Sequence, residues 1–188
     1  MNEIILIENF LKKYQQDSIE DVLTHNEFPY FLYKVTVDND NIFNTNVSKD
    51  TAQFVHIFSF NGNNSTFLNH VSPLYNKLID LLDGEYFLAR CKANLNFQDE
   101  SYLNNHYYTP HIDNDDSSGI SAIYYVNDSD GDTYFFNENK EIVKKVSPKK
   151  GTLVYWPNGI FHAGSPPKKS KYRVVINMNL RLIMPKYY

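Results

Sequence analysis

Residues 172–180, Tyr172-Arg173-Val174-Val175-Ile176-Asn177-Met178-Asn179-Leu180, alternate two kinds of side chain. Successive side chains of a strand point to opposite faces. Val174, Ile176, Met178 and Leu180 then share one face, and Arg173, Val175, Asn177 and Asn179 the other. Toward the N-terminus, β-like runs recur at short spacing: Tyr86–Phe97, Tyr108–Asp113, Gly119–Val126, Thr133–Phe136, Glu141–Val146 and Thr152–Trp156, with the quoted strand running on to Ile183. Polar turn residues separate them, the pattern of a barrel or sandwich.

The part before about residue 84 has a different texture. Phe10, Leu11, Tyr14, Ile19 and Val22 fall at near-helical spacing, so Glu8 to Leu23 predicts one or two short helices. Phe28 to Val37 reads as a strand, Asp38 to Asp50 as an Asn-rich loop, and Phe54 to Phe60 as a strand. Pro73 to Leu82 predicts a helix with Pro in its first turn and Gly84 as its stop. Helices first and strands afterward indicate an α+β, mainly β fold with the N-terminal helices packed on one sheet. No repeat or linker divides the chain, so 1–188 is read as one domain, with 1–84 as support and 85–184 as the β core.

The chain has 188 residues, 42% hydrophobic and 21% charged, within the range of ordinary globular proteins. Aromatics reach 15%, with 15 Tyr and 13 Phe, which suits half-buried pleated surfaces. The net charge of −4 lacks the basic footprint of a nucleic-acid binder. Lys144, Lys145, Lys149, Lys150, Lys168, Lys169 and Lys171 form local basic groups, read first as solvated loop charge and second as a rim for an acidic substrate. The single cysteine, Cys91, builds no internal disulfide and fits a reducing compartment. The N-terminus reads as no signal peptide, and no apolar run reaches membrane-spanning length, so a cytoplasmic location is expected.

His111-Ile112-Asp113 carries the first chemical signal. On a strand, the imidazole and carboxylate would project together, although one His-x-Asp arises often by chance. His162 lies in Trp156-Pro157-Asn158-Gly159-Ile160-Phe161-His162-Ala163-Gly164, at a turn or strand edge. Alone, such a histidine reads as a surface or satisfied core residue. Two His and one carboxylate on one side of a metal leave positions open, the arrangement of non-haem Fe(II) oxygenases. Arg173 follows eleven residues later. A guanidinium grips a carboxylate through two parallel hydrogen bonds, as an iron-chelating dicarboxylate needs at its far end.

With these residues in place, the chain resembles the 2-oxoglutarate and Fe(II)-dependent oxygenases, particularly the prolyl 4-hydroxylase-like branch. The matching text is His111-Ile112-Asp113, Ser121 to Asn127, Gly131-Asp132-Thr133, Pro148 to Val154, His162-Ala163-Gly164 and Tyr172 to Ile176, over about residues 86–183. A looser likeness links it to small phage-type members. The resemblance implies a double-stranded β-helix (jelly roll, cupin-like). It implies His111, Asp113 and His162 as iron ligands and Arg173 as the anchor for the distal carboxylate of 2-oxoglutarate. Tyr125 matches a family tyrosine that touches the same carboxylate. Its neighbour Tyr124 is the alternative if registry slips by one. Asn94, Thr133 and Asn177 fall where polar pocket residues sit.

The implied cofactors are Fe(II) and 2-oxoglutarate, with O₂ as co-substrate and ascorbate as reductant. The implied reaction hydroxylates a C–H bond and releases succinate and CO₂. Many relatives have Gly-Gly where this chain has Gly131-Asp132, and some prolyl hydroxylases anchor with Lys, so prolyl specificity is not implied. Retention of Asp113 favours hydroxylation over halogenation. The substrate class stays open between a protein or peptide side chain and a small molecule, with nucleic acid disfavoured by charge and no membrane partner. Gln98 to Pro110 is a lid or a static loop. The alternatives are a cupin-type metalloenzyme that does not use 2-oxoglutarate, and a β-sandwich binding module whose His and Asp are incidental.

Overall fold

The computed structural model describes residues 3–35, 42–45, 51–99, 106–114, 116 and 118–184. Its elements run β1 (Ile5–Ile7), α1 (Lys13–Leu23), β2 (Phe31–Tyr33), β3 (Gln53–Phe60), β4 (Asn63–Asn64), α2 (Leu68–Leu81), β5 (Glu85–Phe97), β6 (Ile120–Tyr125), β7 (Thr133–Phe136), β8 (Ile142–Val146), β9 (Leu153–Pro157), β10 (His162–Gly164) and β11 (Tyr172–Met184).

Two antiparallel sheets form. The larger has the order β1-β9-β6-β11-β5-β3-β2, with β4 on β3, and the smaller has the order β10-β7-β8. The alternating run 172–180 lies in β11, at the centre of the larger sheet between β5 and β6. This pair of facing sheets is the double-stranded β-helix.

The alternation has its physical consequence in the two main cores. Val174, Ile176, Met178 and Leu180 join the larger cluster with Phe10, Ile19, Leu23, Leu74 and Leu78 from the N-terminal segment and the two helices. The opposite face of the sheet meets the smaller sheet through Ile123, Tyr125, Phe135, Val146, Val154, Trp156 and Val175. Burying large rings such as Phe58 and Trp156, at 0% and 1% exposure, is the main driving term. Truncating either to Ala costs about 3–5 kcal/mol.

Several expectations shift. The Pro73 helix begins earlier, at Leu68, so Pro73 lies inside α2. Its missing N–H would have met the Asn69 carbonyl, four residues back. The Ser72 hydroxyl donates to that oxygen at 2.9 Å, so the carbonyl that Pro73 leaves without its helical donor is satisfied. Of the Glu8–Leu23 span only Lys13–Leu23 is helical, and ahead of it Ile5–Ile7 pairs with β9. Phe28 to Val37 contracts to Phe31–Tyr33, with Val37 outside the described residues. Within the Asp38–Asp50 loop, residues 42–45 are described, and Phe43 is buried against Phe136 and Phe161. Tyr108–Asp113 is not a continuous strand: His111 makes isolated bridges to Ile42 and His162.

Candidate metal centre

That isolated bridge builds the site. His111 and His162 oppose each other, each N–H donating to the other's carbonyl at 3.0 Å. Directly opposed residues of an antiparallel pair put their side chains on one face. The two imidazoles therefore lie side by side, ring centroids 4.5 Å apart. Asp113 enters between them, Oδ1 3.5 Å from His111 Nε2 and Oδ2 3.7 Å from His162 Nε2. One donor atom from each of the three falls within 4.8 Å of the others.

The surroundings prepare the three groups. His111 Nδ1 lies 3.1 Å from the Thr109 carbonyl and His162 Nδ1 3.3 Å from the Ile160 carbonyl. A carbonyl only accepts, so each Nδ1 carries the proton and each Nε2 lone pair faces the cluster, as in metal-binding imidazoles. His162 packs edge-on to Trp156 at 4.8 Å. Burial, aided by the neighbouring His111, pushes its pKa down to about 4, so it is neutral at pH 7.

Burial alone would raise the Asp113 carboxyl. Arg90 and the two histidines overcome this and hold it well below the usual carboxylate range. Arg90 Nη2 donates to Asp113 Oδ1 at 2.7 Å, while Asn177 and Asn179 donate to Oδ2 at 2.9 and 3.2 Å.

A cavity of about 490 Å³, its open mouth included, runs from this cluster to Arg173. Arg173 is 3% exposed. Its Nη2 donates to Thr133 Oγ1 at 2.9 Å, and Nε is buried with no hydrogen-bond partner. Among the described residues it makes no ion pair. Burial lowers its pKa, the sign of a charge lacking full compensation. Tyr125 donates to the same Thr133 hydroxyl at 2.8 Å, and its ring centroid lies 5.9 Å from the guanidinium carbon. Gly131 leaves room for the arginine: a Cβ there would sit 2.8 Å from Arg173 Cδ and 2.6 Å from the Ser165 carbonyl.

Most residues expected from sequence therefore converge. His111, His162, Arg173, Asn94 and Asn177 line the cavity, with Thr133 and Tyr125 bonded behind Arg173 and Asp113 between the histidines. Tyr124 does not converge. It packs in the helix-side core, on the opposite face of β6, as the one-residue offset from Tyr125 requires. Asn177 spends its amide on Asp113.

Sequence reading missed Arg90, Lys92, Asn179 and Gln53. The alternation Arg90-x-Lys92-x-Asn94-x-Asn96 along β5 was the available signal. The basic groups are partly neutralised: Lys145 pairs with Asp132, Lys149 with Glu8, and Lys150 with Asp17 and Glu20. Of the Gln98–Pro110 segment, residues 100–105 lie outside the described residues. Among the described residues no helix is long and apolar enough to cross a membrane.

Residues 97–181 match the family model described as the 2OG-Fe(II) oxygenase superfamily. No curated protein sequence matches the chain. Among solved structures, it is similar to a 2OG-Fe(II) oxygenase family oxidoreductase from Burkholderia pseudomallei at 13% identity and TM-score 0.67, covering 97% of this chain and 86% of that one. It is similar to a Pseudomonas putida prolyl-4-hydroxylase at 16% identity and TM-score 0.60, covering 97% and 94%. The viral collagen prolyl hydroxylase of Paramecium Bursaria Chlorella virus-1 aligns at 16% identity and TM-score 0.59, covering 96% of each chain. At these identities the structural likeness speaks for the fold.

Proposed function

We infer, on the premise that residues 97–181 belong to the 2OG-Fe(II) oxygenase superfamily, that this chain is an Fe(II)- and 2-oxoglutarate-dependent dioxygenase. In this reading His111, Asp113 and His162 hold the metal, and Arg173 holds the distal carboxylate of the co-substrate. One observation carries it: a buried guanidinium with no carboxylate partner among the described residues shares one cavity with the two histidines of a two-histidine, one-carboxylate cluster. Two neutral imidazoles and one carboxylate suit Fe(II) and leave coordination positions for other ligands.

Fe(II) with bound 2-oxoglutarate supplies the oxidising power for C–H hydroxylation, with release of succinate and CO₂. The protein's own groups position and exclude. Arg90, Asn177 and Asn179 fix the Asp113 carboxylate and keep it ionised. Thr133 Oγ1 accepts from both Arg173 and Tyr125, so its own proton is left to donate to a carboxylate gripped by Arg173. Phe135 and Trp156 pack against His162 and form a dry wall.

Ascorbate as external reductant belongs to this reading, as does a substrate that is a protein side chain, prolyl among them, or a small molecule. The chain works as one domain, 1–84 supporting the core of 85–184. A cupin-type enzyme that binds no keto-acid would give the buried Arg173 nothing to hold.

The test is anaerobic binding followed by turnover. Mn(II) should raise the melting temperature, since a ligand of the native state must. 2-Oxoglutarate should raise it further, and Fe(II) with O₂ should release succinate, if slowly. His111→Ala and Asp113→Ala should abolish release. Wild-type rates in both variants would remove the ligand assignment.

A further inference from the structure

Lys92 is the cavity's second cation beside Arg173, and neither the metal cluster nor the Arg173 anchor uses it. It lies on β5, opposite Asn177 of β11 and Ile57 of β3. Arg90 and Asn94 flank it on the same face of its own strand. Arg173 sits opposite Asn96, four residues along β5 from Lys92. At about 3.3 Å per residue the two backbones stand roughly 13 Å apart along the strand. One cation thus lies at the far end of the cavity and the other level with the metal cluster. Among the described residues Lys92 has neither hydrogen bond nor ion pair. Burial, helped by Arg90, pushes its pKa down to about 8, with Asp113 opposing only in part.

Charge balance shows what is missing. Among the described residues that line the cavity there is no carboxylate, Asp113 lying at the cluster behind the lining histidines. Arg90 cancels Asp113. Arg173, Lys92 and a divalent metal together carry four positive charges, and the dianionic co-substrate neutralises two. A cavity still positive after the co-substrate binds attracts a further anion.

We propose that Lys92 binds an oxyanion group next to the metal cluster, and that the primary substrate carries this group as a carboxylate, phosphate or sulfate. The proposal rests on the oxygenase reading for its second half. The keto-acid end of 2-oxoglutarate is the other source of the same chemistry; the residual positive charge favours the substrate.

The test uses the full chain with Mn(II), anaerobically, comparing wild type, Lys92→Met, Lys92→Arg and Arg173→Met by calorimetry. Met keeps the length and apolar stem of Lys92, and cooperative melting at or above the wild-type temperature establishes folding. The probe is inorganic sulfate against chloride at constant ionic strength, with and without saturating 2-oxoglutarate. The expected result is sulfate binding on top of 2-oxoglutarate, weakened about tenfold or more in Lys92→Met, as loss of a charge-assisted hydrogen bond entails, and restored in Lys92→Arg. If sulfate fails to bind and Lys92→Met instead weakens 2-oxoglutarate about tenfold, Lys92 serves the keto-acid and the substrate half of the proposal falls. If Lys92→Met changes neither, the proposal is overturned. Sulfate binding that is lost in Lys92→Met, in a wild type that binds no 2-oxoglutarate with Mn(II), would sink the oxygenase reading and leave the anion site standing.

Discussion

Replacing Arg173 by Met separates stability from ligand binding, because the structure predicts opposite signs for the two. In the ligand-free protein the guanidinium is 3% exposed, with one hydrogen bond to Thr133 and an unpartnered buried Nε. Met forfeits that bond, about 1 kcal/mol net. It also relieves the cost of a buried, unpaired charge, which amounts to several kcal/mol. The metal-free variant should melt at or above the wild-type temperature, by up to about 8 °C for a gain of roughly 2 kcal/mol in a chain of this size.

Binding should run the other way. A carboxylate gripped by two charge-assisted hydrogen bonds loses about 3–6 kcal/mol when both vanish, roughly 10²- to 10⁴-fold in affinity. Lys at the same position keeps the charge but not the fork, so it should fall between. Scanning fluorimetry without metal and calorimetry of 2-oxoglutarate with Mn(II) measure the two halves. A Met variant that melts well below wild type yet binds 2-oxoglutarate unchanged would refute the reasoning, since Arg173 would then be a structural residue.

Three further outcomes follow from the same geometry. His162 titrates near 4 when folded against 6.5 as a free group, so the unfolded chain binds more protons between those values. Its contribution is intact above about pH 6.5 and is lost as pH falls toward 4, up to about 3 kcal/mol. Urea midpoints at pH 7 and 4.5 should therefore differ less in His162→Leu than in wild type, and equal differences would contradict the assigned shift. Gly131→Ala should cost about 1–3 kcal/mol and weaken 2-oxoglutarate more than Mn(II), because the new methyl meets the Ser165 carbonyl and the Arg173 stem; unchanged co-substrate affinity would remove Gly131 from the anchor's support. Cys91 is buried and burial pushes its thiol pKa up, so in native protein a thiol reagent should label it only as fast as the chain opens; rapid native-state labelling would show the helix-side core to be loose.

What could be read from the residues alone was local. The period-two alternation over 172–180 reports which side chains share a face, and β11 keeps that division. His111-Ile112-Asp113, His162 and Arg173 stood out through residue type and the family resemblance they carry, and the fold brings His111, Asp113 and His162 into one cluster and Arg173 into the cavity that the two histidines line. Some features needed the third dimension. A period of two cannot say which face of β6 looks inward when both are buried, so Tyr124 and Tyr125 were separable only once the two sheets faced each other. His111 and Asp113 meet His162 through one isolated backbone bridge, not a regular strand, and no local pattern announces a single bridge between distant segments. Arg90 and Lys92 had no role assigned from the sequence. Only the closure of β5, β11 and the smaller sheet around one cavity turns them inward, because burial and charge pairing are properties of the enclosed space and not of the strand that enters it.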